Sequence, residues 1–327
     1  MIKYSIVIPV KAINNYVRET VTHIQAISRD DWELIIVPNN IEGDEWLDSR
    51  ITFLKSGSKG PATKRDMAAK VCNGSILVFL DDDSYPQADL LNVADKYFAD
   101  NQLVAIGGPG ITPKSDSFGQ KLSGAVFLSK YSGGSPERYL SIGQPKEVDD
   151  WPSVNLMVRK KEFLQVGGFD NEFWPGEDTK LCQKLIENTQ KKIKYVPELI
   201  VWHHRRSGWL AHMKQVGAYG LHRGYFARVY KGSSLRFKYF IPSLFFLFSL
   251  GSMISIIYIN SKLMNAAISI GWILYTGILI KSLSDIKKHE GIYIAIASIL
   301  YIVPTQLIYG LKFIQGICTK ELKSKLR

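Results

Sequence analysis

Three stretches near the C-terminal end carry no Asp, Glu, Lys, Arg or His: residues 239–259 (21 residues), 263–280 (18) and 291–311 (21). A helix needs about 20 apolar residues to cross the hydrocarbon core of a bilayer. Packed into a hydrophobic helical subdomain instead, three such runs would leave too little polar surface to cover them. A transmembrane region over 239–311 is therefore expected. Pro304 and Gln306 interrupt the third run, and a third full crossing would put the tail KELKSKLR on the opposite side from the other basic residues. That run therefore reads either as a span or as a re-entrant or interfacial segment.

The net charge of +11 sits entirely in the C-terminal part. Residues 1–198 carry 24 Lys and Arg against 27 Asp and Glu, a net −3, and residues 199–327 carry 17 against 3, a net +14. Beside long apolar runs, these cations fit anionic lipid head groups and argue against nucleic acid. Arg205, Arg206, Lys214, Arg223, Arg228, Lys231, Arg236 and Lys238 precede the first run, and Lys281, Lys287 and Lys288 follow the second, as the positive-inside rule requires. MIKYSIVIPV reads as a strand rather than a signal peptide. The expectation is a multi-pass protein of the inner (plasma) membrane with its polar domain in the cytoplasm. Three scattered cysteines without a CxxC pair fit a reducing compartment. Spans without Asp, Glu, Lys, Arg or His argue against a transporter or channel.

The N-terminal part alternates apolar strand-like runs with helical segments: SIVIPV (5–10), ELIIV (33–37), a helical stretch over 64–73 closed by Gly74, SILVFL (75–80), LVAIG (103–107), VNLMV (154–158) and a strand around 194–201. This pattern predicts an α/β domain with a largely parallel sheet, whose ligands gather at the carboxyl ends of the strands. At one such end stand Asp81, Asp82 and Asp83. Three adjacent carboxylates either bind a hard cation such as Mg²⁺ or Mn²⁺, which can bridge to a diphosphate, or form an acidic turn or helix cap. Glu177 and Asp178 follow the loop Trp174-Pro175-Gly176 at a helix start, where they either accept a proton from a hydroxyl or simply cap the helix.

In this order the pieces resemble a family 2 glycosyltransferase with the GT-A fold, over about residues 4–230. The resemblance is carried by SIVIPV, GPATKRDMAAKVCNGSILVFLDDDSYP, VNLMVRKKEFLQVGGFD, FWPGEDTKLC and VWHHRRSGW. It implies a Rossmann-like nucleotide-diphospho-sugar transferase domain in which Asp81 and Asp83, with Asp82 between them, hold a divalent metal and the donor diphosphate, and Asp178 of the ED pair is the base. It further implies donor contacts from Pro9, Lys64, Arg65 and Arg205, and a metal ligand in His203. For His203, His204, Arg205 and Arg206, lipid contact is the competing reading. Where the family has an Asp after the second strand, this chain has Pro38, Asn39 and Asn40, and the two amides are left to meet the nucleobase. Asp66 stands where an Asn is more usual. Asp150, Trp151 and Trp174 are acceptor candidates. Trp151 would either stack on a sugar or sit in the core, and Trp209, Met213, Val216 and Tyr219 have the spacing of an interfacial helix.

The expected organisation is a GT-A domain over 1–202, a basic interface region over 203–238, transmembrane helices over 239–311 and a basic tail over 312–327. The expected activity is inverting transfer of a sugar from a nucleoside-diphosphate sugar to a membrane-associated acceptor, a polyprenyl-diphosphate-linked glycan by resemblance. The alternatives are a polyprenyl-phosphate sugar synthase, or an inactive nucleotide-sugar-binding scaffold.

Overall fold

The computed structural model describes residues 1–41, 46–169, 173–258 and 261–322. Asp170 of the GGFD segment, residues 171–172 between it and FWPGED, Ile259 of the first apolar run and residues 323–327 of the tail lie outside the described residues. In chain order the strands are β1 (Tyr4–Pro9), β2 (Trp32–Val37), β3 (Ile51–Phe53), β4 (Ile76–Leu80), β5 (Ser84–Pro86), β6 (Leu103–Gly107), β7 (Gly110–Ile111), β8 (Lys146–Val148), β9 (Asn155–Arg159), β10 (Lys192–Tyr195) and β11 (Val201–His203). The helices are α1 (Asn15–Gln25), α2 (Pro61–Val71), α3 (Leu90–Phe98), α4 (Phe118–Ala125), α5 (Lys160–Gln165), α6 (Glu177–Thr189), α7 (Trp209–Val229), α8 (Lys231–Ser234), α9 (Phe237–Tyr258), α10 (Lys262–Ala297) and α11 (Ile299–Cys318).

The described residues form two compact units, one from Met1–Pro113 and Leu140–His204, the other from Lys114–Tyr139 and Arg205–Leu322. In the first, eight strands form one sheet in the order β3-β2-β1-β4-β9-β6-β10-β8. Neighbours are parallel except β9, which opposes both β4 and β6, and β8, which opposes β10. Strand alternation sorts the core to the two faces. Tyr4, Ile6 and Ile8 pack with Val17 and Val21 of α1 and Leu91 and Ala94 of α3. Val7, Leu77 and Phe79 pack with Ala68 of α2, Phe163 of α5 and Leu181 of α6. A second sheet, β5-β11-β7, begins three residues beyond β4. The strand expected around 194–201 is therefore two strands in different sheets, because Val196 to Ile200 cross from one to the other.

The second unit is helical. Two of its helices, α9 and α10, are long and apolar enough to cross a membrane. Phe245 stacks on Tyr275 at 4.2 Å and Phe248 lies 5.4 Å from Trp272, so these helices pack side by side. The third apolar run is divided. Gly291, at φ 81°, interrupts α10, and Ser298 separates α10 from α11. Helix α11 lies along α7 in close contact: a Cβ on Gly224 would come within 2.0 Å of the Phe313 carbonyl oxygen, and one on Gly316 within 2.1 Å of that of Leu221. Small residues permit this backbone approach. Met213 and Val216 of α7 are consequently buried, while Trp209 and Tyr219 stay exposed.

Candidate active site

β4 is buried along its whole length and delivers Asp81, Asp82 and Asp83 at its carboxyl end. Ser84, absent from the sequence-level candidates, shapes this turn: its hydroxyl accepts from the Asp81 amide at 3.0 Å and lies 3.0 Å from the Asp81 carbonyl oxygen. The Thr20 hydroxyl of α1 donates to the Ser84 carbonyl at 2.6 Å. β11 then pairs antiparallel with β5, placing His203 opposite Ser84, and the His204 amide donates to the Asp83 carbonyl at 2.9 Å. The result brings together residues 120 positions apart, with His203 Nε2 3.1 Å from Asp83 Oδ1. One ligand atom each from Asp81, Asp83 and His203 lie within 4.8 Å of one another. Two carboxylates and an imidazole are a donor set that suits Mn²⁺ or Mg²⁺.

α2 aims two cations at this end of the sheet. Arg65, 2 % exposed, contacts Asp81 Oδ1 at 2.5 Å and lies 3.7 Å from Glu177 Oε1. Its ring-facing side lies 5.3 Å from Phe169. Nε and Nη1 of Arg65 are buried without a hydrogen-bond partner. Unfilled donors on a buried guanidinium are costly in isolation and suited to an anion. The Lys64 ammonium donates to the Val10 carbonyl and, at 2.7 Å, to Asn39 Oδ1. Burial lowers the Lys64 pKa, opposed by the charge of Asp82. Asn39 is thus tied to Lys64 just past the end of β2, and Asn40 is exposed. Pro9 closes β1 in the core beside them.

Glu177 and Asp178 open α6. Glu177 is buried, and Glu177 Oε2 and Asp178 Oδ1 are shut from solvent without a hydrogen-bond partner. Burial raises the pKa of both. For Glu177 the charge of Asp178 adds to the rise and Arg65 opposes it, and for Asp178 Arg65 and Ser153 oppose it. A pair of high-pKa carboxylates linked through Arg65 to the Asp81 turn can take a proton at neutral pH.

Other candidates are placed differently. Trp151 is a core residue, not a sugar platform: it is 2 % exposed, its Nε1 donates to the Gly108 carbonyl at 2.8 Å, and it stacks on Tyr195 at 4.9 Å. Gly107 leaves the room for its ring. Asp150 accepts from the Thr179 hydroxyl at 3.0 Å, and Trp174 is half-buried beside the ED pair in sequence. Arg205 falls in the helical unit, where its amide donates to Asp116 at 3.2 Å and its guanidinium lies 4.7 Å from the Tyr139 ring. Asp66 accepts from the Phe169 amide at 2.8 Å, holding the Gly167-Gly168 turn. Asn155, 0 % exposed, was not among the sequence candidates, and its amide bridges the Pro109 and Leu199 carbonyls between the two sheets.

Residues 5–161 match the family profile described as glycosyl transferase family 2. The matched stretch runs from β1 through β9 of the α/β domain. The chain is similar to the pre-mycofactocin glycosyltransferases of Mycobacterium tuberculosis strains CDC 1551 / Oshkosh and ATCC 25618 / H37Rv, each 26% identical over 217 residues, 63% of this chain and 44% of the relative. It thus spans less than half the length of the curated relatives it matches. Among solved structures, the mannosyltransferase PcManGT from Pyrobaculum calidifontis, in complex with GDP-Man and Mn²⁺, superposes with a TM-score of 0.64 at 13% identity, covering 98% of this chain and 88% of that one. That likeness shows the GT-A fold.

Proposed function

We propose that this chain is a family 2 glycosyltransferase that moves a glycosyl group from a nucleoside-diphosphate sugar to an acceptor held at a membrane, with inversion at the anomeric carbon. The observation that carries this reading is the grouping of Asp81, Asp83 and His203 within 4.8 Å, on the same sheet end as a buried Arg65 and a buried carboxylate pair. Asp81, Asp83 and His203 would hold Mg²⁺ or Mn²⁺, and such an ion, when bound, neutralises the charge that develops on the leaving diphosphate. Co-crystallisation of the mannosyltransferase PcManGT with GDP-Man and Mn²⁺ supports both ligands. Arg65 offers its two unfilled donors to the diphosphate, and Lys64 holds Asn39 toward the nucleobase side. Asp178, its pKa raised by burial, takes the proton of the acceptor hydroxyl as it attacks the face opposite the leaving group, and Glu177 lies beside it, 3.7 Å from Arg65.

Two apolar helices and the basic excess of the C-terminal part support a membrane-held acceptor, with the polar domain on the cytoplasmic face of the inner membrane. Two crossings by α9 and α10 would return Lys281, Lys287 and Lys288 to the side of Arg223 to Lys238, in keeping with the positive-inside rule. A polyprenyl-diphosphate-linked glycan of surface polysaccharide assembly is the acceptor this arrangement suits. The test is transfer of radiolabel from a panel of nucleoside-diphosphate sugars into the organic-extractable fraction of membranes containing the protein. Label in lipid supports the reading. Label that stays in water-soluble glycan, with full turnover, removes the lipid acceptor.

A further inference from the structure

Within the helical unit, the C-terminal ends of α7 and α11 meet the start of α9, and their cations converge there. Arg223 donates to the Ser234 hydroxyl at 3.2 Å and lies 4.6 Å from the Tyr239 ring. Arg228 donates to the Thr319 and Lys320 carbonyls, so it joins the ends of α7 and α11 and covers the negative end of the α11 dipole. Lys238 lies 5.1 Å from the centre of the Tyr239 ring, and Arg228 5.4 Å from that of Tyr225. Arg228, Lys238 and Lys320 are exposed. Glu321 is the carboxylate next to Lys320 in sequence, and no acid lies between Glu198 and Asp285.

The same turns expose large apolar side chains. Leu235, Phe237 and Ile241 are 52%, 74% and 52% exposed at the point where the apolar helix α9 begins. A hydrated polyanion has nothing to offer that apolar surface, whereas a phospholipid meets both halves: its head group faces the guanidinium and ammonium groups, and its acyl chains face the leucine, phenylalanine and isoleucine. Tyrosines between the two are the residues expected at the head-group level. We infer that Arg223, Arg228, Lys238 and Lys320, framed by Tyr225 and Tyr239, form a binding site for the phosphate of an anionic membrane lipid. This rests on the membrane reading above, and adds to it a located and selective lipid contact.

The test reconstitutes the full chain in nanodiscs of phosphatidylcholine and phosphatidylglycerol at four to one, then extracts it gently and measures the retained lipids by mass spectrometry. The wild type is expected to retain phosphatidylglycerol enriched about fivefold or more over the bulk ratio, the size of effect one or two surface cations produce. The Arg228→Gln/Lys238→Gln variant should fall toward the bulk ratio. Lys238→Gln alone guards against misfolding, because Lys238 is exposed and caps no helix end, and it should lose part of the enrichment with an unchanged circular dichroism spectrum. Bulk-ratio lipid in the wild type, or undiminished enrichment in the folded variants, overturns the site. Displacement of the enriched lipid by millimolar inorganic phosphate would also overturn it, in favour of a small-anion site. Failure to enter these nanodiscs would instead strike at the membrane reading itself.

Discussion

Removing the Asp83 carboxylate takes one ligand from a set of three and leaves His203 without its 3.1 Å partner. Asp83→Ala is predicted to lower Mn²⁺-dependent turnover by about 10²–10³-fold, the usual scale for losing one electrostatic stabiliser of a leaving group. Its unfolding temperature should shift by only a few degrees. Asp66 carries a different prediction, about stability. Burial raises its pKa from 3.8 to about 6, so the folded state holds the proton more tightly than the unfolded chain. The stabilising contribution is present at pH below 3.8 and is lost as pH rises through about 6. Asp66→Asn keeps an acceptor for the Phe169 amide and removes the charge, so it should raise the melting temperature at pH 7 by a few degrees. It should also flatten the dependence between pH 4 and 6, and identical pH profiles for both proteins would contradict this. Trp151→Ala should cost about 3–5 kcal/mol of stability as a core deletion, read by denaturant unfolding, rather than raise only an acceptor KM.

At the scale of elements, the close approach of α7 and α11 is the most demanding packing in the helical unit. A methyl on Gly224 meets a carbonyl oxygen at 2.0 Å, whereas one on Gly251 of α9 meets nothing within 4 Å. Gly224→Ala is therefore predicted to cost about 1–3 kcal/mol in detergent-solubilised protein and Gly251→Ala close to nothing, with thermal unfolding as the measurement. Equal effects would mean that the two helices separate easily. The strands β1, β2, β4 and β6 were legible because burial on both faces turns each into an unbroken apolar run. The reversal of β9 was not legible for the same reason, since VNLMV is buried like its parallel neighbours and carries no mark of direction. β5, β7 and β11 are too short for a period, so the contact of His203 with Asp83 could be expected by resemblance but not read from spacing. Trp151 shows the opposite limit: an aromatic beside two acids looks the same whether it faces a sugar or a neighbouring tyrosine, and only the Gly107 gap decides.

At the scale of the whole molecule, one chain carries an acidic sheet end whose Asp81, Asp83 and His203 could hold a metal ion, and an apolar, basic helical region. The raised pKa of the buried Glu177 and Asp178 gives the reaction a pH signature. A base must be ionised to act, so kcat/KM should rise with pH through a value above the ordinary carboxylate range near 4, and Asp178→Asn should remove that limb together with most of the activity. A limb near pH 4 would mean that another group takes the proton. The most direct measurement of the central claim is calorimetric binding and hydrolysis of a panel of nucleoside-diphosphate sugars by the detergent-purified chain, with Mn²⁺, Mg²⁺ or EDTA, for wild type and Asp83→Ala. The account predicts that one donor binds and is consumed only with a divalent ion, and that Asp83→Ala loses both. Donor use that survives EDTA and Asp83→Ala alike, or no donor bound under any condition, would contradict it.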